Sequence, residues 1–177
     1  MDILKNLDLL AIGIVIAGIG VLGFTVLLSN RGSITNRNFF YFSILTIFWS
    51  SFNLIFQKIT NSTIAFWLLR LSIFIATWHS FFFFKLFYVW PKEKRVLSKW
   101  YSVFLIPSVI LTSFLTLTPL VFRRIKEISE IGTIVKVENG FGIIVFSTMI
   151  FFLIVGGVWL LFKKTIKSKS AERRQYL

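Results

Sequence analysis

The chain has no cysteine, one histidine, and seven acidic residues against twenty basic ones. Without cysteine there is no disulfide, no thiolate metal site and no cysteine nucleophile. A lone His79 cannot assemble a metal site, because no Asp or Glu lies in the apolar runs around it. No cofactor is expected. The apolar runs also hold no nucleophile–base pair, no phosphate-binding loop and no paired carboxylates, so the chain is not expected to be an enzyme. No polar stretch is long enough for a separate soluble catalytic domain. The opening segment Met1–Asp8 carries two Asp against one Lys, and no small-x-small site follows the long apolar run after it. A cleavable signal peptide is therefore not expected.

What the chain has in excess is apolar surface. Hydrophobic residues make up 56% of its 177 residues and aromatics 18%. Mean hydropathy is +0.80, far above ordinary soluble usage. The apolar residues fall into five runs, roughly 9–28, 39–56, 64–90, 100–122 and 141–162. A helix crosses the hydrocarbon core with about 20 residues at 1.5 Å each. Unpaired backbone is not tolerated in lipid, so each run is expected to be helical. The expected fold class is an all-α membrane protein, a bundle of five transmembrane helices forming one domain over residues 1–177.

The net charge of +13 is unevenly placed. Twelve basic residues occupy the joints Asn30–Asn38 and Pro91–Lys99 and the basic tail 163–177, whereas six occupy the opposite joints. The positive-inside rule then puts the N-terminus outside and the C-terminus in the cytoplasm of a multi-pass protein. Basic residues at the inner face attract anionic lipid headgroups, the bilayer being the first expected partner. No basic groove alternates with exposed stacking aromatics, so nucleic acid is not an expected partner.

Gly13, Ala17 and Gly20 share one face of the first helix, and Gly156 and Gly157 mark the fifth. Small residues let helices approach closely. Packing within the chain is favoured over a homodimer face, which remains an alternative. Trp90 and Trp100 flank the basic joint as interfacial anchors, with Lys85 snorkelling toward the same level. The run Phe81–Phe84 reads as packing or lipid-facing bulk. Pro107 is the expected kink of the fourth helix, and Pro119 lies near its outer end. Between the fourth and fifth runs, Ile125–Ile128 and Thr133–Val137 alternate apolar with polar around Glu130–Gly132. This predicts a small extracytoplasmic β-hairpin within 123–140 that leans on the helix ends.

Few polar groups lie deep. Arg70 follows Trp67 about two turns into the third helix, where an unpartnered charge is costly. Asn53 is at a comparable depth in the second helix, and Asp8 and Glu138 are outer carboxylates that offer counter-charge. Arg70, Asn53, Trp67 and His79 therefore form the candidate polar cluster, as a structural clamp or as a ligand-sensing site. For His79, an interhelical hydrogen bond is the expected role.

The joint with Asn30, Arg31, Asn36 and Arg37, Trp49 in the second helix, Trp67 with Arg70 in the third, Gly140 after the hairpin, and Arg173-Arg174-Gln175 form a pattern. It resembles the N-terminal seven-transmembrane region ahead of bacterial sensor histidine kinases, over nearly the whole chain. The resemblance implies the input or sensor module of a two-component signal-transduction protein in the cytoplasmic membrane, with a cytoplasmic kinase or other signalling output as partner. Five spans rather than seven imply either a fragment of a longer kinase or a module that relies on a partner chain. The alternative is a small transporter or channel subunit with Arg70 and His79 on a polar path.

Overall fold

The computed structural model describes residues 3–56, 59, 61–91, 98–128 and 134–167. Five α-helices and one hairpin follow in the order α1 (Ile3–Ser29), α2 (Ile34–Phe56), α3 (Ser62–Val89), α4 (Ile106–Thr116), β1 (Phe122–Ile128), β2 (Ile134–Asn139) and α5 (Gly142–Lys167). Four of them, α1, α2, α3 and α5, are long and apolar enough to cross a membrane.

The α1–α2 joint is built from side chains that occupy helix-end groups. Asn30 Oδ1 accepts from the amides of Gly32 and Ser33, and Ser33 Oγ accepts from the Asn36 amide to cap α2. The Asn36 side-chain amide then donates back to Val26 O at 2.7 Å, one of the carbonyls left open at the end of α1. These caps start α2 at Ile34, a turn ahead of its apolar run. Asn61 caps α3 in the same way, accepting from Thr63 and Ile64.

The fourth apolar run departs from the expected 100–122 span. A π-helical turn, Tyr101–Leu105, precedes α4 and stands directly before Pro107. Proline has no N–H to close the α-turn on to Val103, and the wider turn accommodates that gap. The helix stops at Thr116, where the amides of Leu117 and Thr118 close short turns on Phe114 and Leu115 ahead of Pro119. The apolar helix therefore covers only Tyr101–Thr116. Leu120, Val121 and Phe122 instead form a strap into the hairpin, with Val121 at 0% exposure.

β1 and β2 pair antiparallel, with Arg124 opposite Glu138 and Ile125 opposite Val137, interrupted by register shifts. β1 thus begins three residues before the alternation at Ile125, and β2 ends two residues beyond Val137, closer to α5. Its expected turn, Glu130–Gly132, lies outside the described residues, as does Arg173-Arg174-Gln175. α5 continues through the first residues of the basic tail to Lys167.

α3 sits at the centre, packed against α2, α4, α5 and β1. Phe81, Phe84, Val109 and Leu153 form the buried cluster. Gly157 admits the α3 backbone: a Cβ there would lie 3.3 Å from Phe84 Cα. In α1 the close approach is at Gly23, where a Cβ would meet Ser43 Cβ at 2.8 Å. Gly20 only touches Ile47, whereas Gly13 has open space beside it and Ala17 is exposed. Most of the other buried side chains are small and polar. Ser43, Thr77 and Ser113 each donate to the carbonyl four residues earlier in their own helix, while Leu10, Val21, Leu111 and Phe152 stand exposed. Small polar groups inside and bulky apolar ones outside are the packing pattern of helices in lipid. At the other end of the bundle from the hairpin, Lys164 of α5 donates to the carbonyls of Phe87, Tyr88 and Trp90. That satisfies the open C-terminal end of α3 with a cation, the sign favoured there.

Candidate functional site

The Arg70 side chain turns inward and is 6% exposed. Its guanidinium carbon lies 4.3 Å from the Phe66 ring centre, one helical turn earlier, and 5.2 Å from that of Trp67. Its Nη2 donates to the backbone carbonyl of Phe122 at 2.8 Å. The strap before the hairpin is thus held through three successive carbonyls. Leu120 O accepts from the Gly142 amide and Val121 O from the Gly140 amide, each at 2.8 Å, and Phe122 O accepts from Arg70. Arg70 Nε has no partner among the described residues.

The expected counter-charge is placed differently. Glu138 binds Arg124 at 2.7 Å and has Arg123 and Lys126 each at 3.9 Å. The hydrogen bond from Arg124 holds its carboxyl below the usual range. Partial desolvation opposes this, and the charges of Arg124, Lys126 and Arg123 reinforce it. Beside the hairpin an open groove of about 380 Å³ is lined by Ser62, Thr63, Phe66, Arg123, Arg124, Ile125 and Lys126.

Trp67 is half-exposed next to Arg70. Asn53 lines a separate groove with Ser50, Leu54 and the α1 residues Ala11, Ile12 and Val15. His79 belongs to a third environment. Phe42, Thr46 and Trp49 stand one turn apart along α2 and face it, with the Phe42 and Trp49 ring centres 4.4 Å and 6.1 Å away. Thr46 Oγ1 lies 3.0 Å from His79 Nε2 and gives its own proton to Phe42 O. With the single hydroxyl proton directed to Phe42 O, Thr46 Oγ1 is an acceptor suited to an N–H at His79 Nε2. The structure brings Arg70 to Phe66, Trp67 and Phe122, and leaves Asn53 and His79 in other surroundings. Sequence reasoning missed Phe122, whose contribution is a backbone carbonyl with no side-chain signature. Lys164 was legible only as part of a basic tail. No cluster of three or more His, Cys, Asp or Glu suited to a metal occurs among the described residues.

A bundle of apolar helices with polar interior seams and one short sheet defines a multi-helix membrane protein. The chain belongs to the family described as the N-terminal 7TM region of histidine kinase, which matches residues 9–177. It is accordingly a membrane sensor region of signal transduction. Neither the curated proteins nor the solved structures contain a match.

Proposed function

We propose that residues 1–177 form one sensor domain that controls a cytoplasmic kinase or other signalling output. The observation that carries this is the family match over residues 9–177. Five helices cross the cytoplasmic membrane, α4 with its π turn being the short one. The N-terminus is outside, the hairpin is extracytoplasmic and the C-terminus is cytoplasmic, as the distribution of basic residues favours. The Arg70–Phe122 hydrogen bond ties the outer hairpin to α3, and Lys164 ties the far end of α3 to α5. A stimulus at the hairpin that favours one packing of α3 over another is thereby carried to the cytoplasmic end of α5 and on to the output. Arg70 acts as the clamp of this device, with Trp67 beside it.

The test joins residues 1–177 in frame to the cytoplasmic part of a histidine kinase and measures autophosphorylation in membrane vesicles. Arg70→Met is expected to shift the autophosphorylation level of the fusion. A level indifferent both to Arg70→Met and to removal of the whole region would overturn the proposal.

A further inference from the structure

Polar side chains from two helices converge where α2 begins and α3 ends. Ile34, Arg37, Asn38 and Tyr41 of α2, with Lys85 of α3, line a groove of about 340 Å³. That volume lies within the range of small-ligand sites, about 300–1,000 Å³. Arg37 and Tyr41 are one turn apart and share a helix face. Lys85 comes from the other wall, its ammonium 5.6 Å from the Phe82 ring centre, and Phe82 packs 5.3 Å from Tyr41. Asn38 is 3% exposed and spends its amide on Ile34 O.

The groove is electrostatically incomplete. Two cations share it, and neither pairs with a carboxylate among the described residues. Glu93, in the adjoining joint, lies outside them. Like charges facing one groove repel, and an anion between them turns that repulsion into attraction. The depth is also telling. Arg37 is three residues inside the start of α2 and Lys85 four residues from the end of α3, the level of lipid phosphates when these helices span a bilayer. Tyr41 is half-exposed there, a side chain suited to that boundary.

We propose that this groove binds the phosphate of one anionic phospholipid, with Arg37 and Lys85 as charged donors and the Tyr41 hydroxyl as a third donor. A lipid seated there bridges α2 to α3, so bilayer composition bears on the packing of the central helix. The inference rests on these helices crossing a bilayer and deepens the sensor reading by naming a lipid site. A soluble phosphate has the same chemistry, and the experiment separates the two.

The full chain is reconstituted into vesicles of phosphatidylcholine with phosphatidylglycerol, extracted, and weighed by native mass spectrometry. Wild type is expected to retain one phosphatidylglycerol. Removing each charge-assisted hydrogen bond weakens retention about tenfold, so Arg37→Gln/Lys85→Gln is expected to release the lipid. Tyr41→Phe, which removes only a hydroxyl, is expected to weaken retention less, in a chain of unchanged helicity. Arg31→Gln/Lys163→Gln removes exposed cations from the same end and is expected to retain the lipid. In a second arm, inorganic phosphate is titrated into lipid-free detergent, and no rise in Tm is expected. A rise that the Arg37/Lys85 variant abolishes would reassign the site to soluble phosphate and overturn the lipid. Equal retention by wild type and the Arg37/Lys85 variant would overturn the site. Neither readout involves kinase output, so the sensor reading stands or falls separately.

Discussion

Arg70 Nη2 lies 2.8 Å from the carbonyl oxygen of Phe122, joining the third helix to a strap that begins 50 residues further along the chain, at Leu120. A buried arginine usually answers to a carboxylate, yet this one is held by a carbonyl and two aromatic faces. Arg70→Met keeps much of the length and removes the donor. It is expected to lower stability by about 1–2 kcal/mol, the scale of interhelical hydrogen bonds in membranes. Thermal denaturation in detergent measures this. An unchanged Tm would show that the clamp contributes nothing to stability.

Gly140→Ala is expected to be worse tolerated than an added methyl at any other glycine among the described residues. Its Cβ would lie 2.0 Å from Leu120 O and 3.2 Å from Pro119 O, and backbone atoms cannot rotate away. Overpacking of this kind costs about 1–3 kcal/mol or more. Gly13→Ala, with nothing within 4 Å, is the control and should match wild type or exceed it slightly. Equal Tm values for the two variants would refute the close approach.

Glu138 makes the hairpin sensitive to acid. Its carboxyl titrates below the ordinary value because it accepts from Arg124 among three cations. A lowered folded pKa means that the folded state binds fewer protons, so the stabilisation is present above the unfolded value, about 4.3. It is lost as pH falls from there through the folded value. Amide protection in β1, corrected for intrinsic exchange, should decline over that window in wild type and stay level in Glu138→Gln. The effect should shrink with added salt, since the site is partly exposed. Identical profiles in both proteins would remove Glu138 as the cause.

Single cysteines in this cysteine-free chain report topology directly. Ser98→Cys should be labelled only from the cytoplasmic side and Lys126→Cys only from outside, both positions being exposed. Labelling of Ser98→Cys by an impermeant reagent in intact cells would reverse the orientation.

The five apolar runs led to the expectation of five long helices, because lipid leaves no unpaired backbone in some 20 apolar residues, and four of the runs form them. The hairpin was legible from alternation around Ile125 and Val137, and the family from the spaced Asn, Trp and Arg residues. The end of the fourth helix was not. Leu117–Phe122 is as apolar as a span, and the amides of Gly140 and Gly142 together with Arg70 Nη2 draw it out as a strap. Arg70 declared itself by depth, since a charge in a helix must find polar company. Its partner could not be read, because any residue can offer a carbonyl and only the fold decides which one comes within 2.8 Å. The same holds for Arg37 and Lys85. Their charges are written in the chain, but the groove they share exists only once α2 and α3 pack side by side.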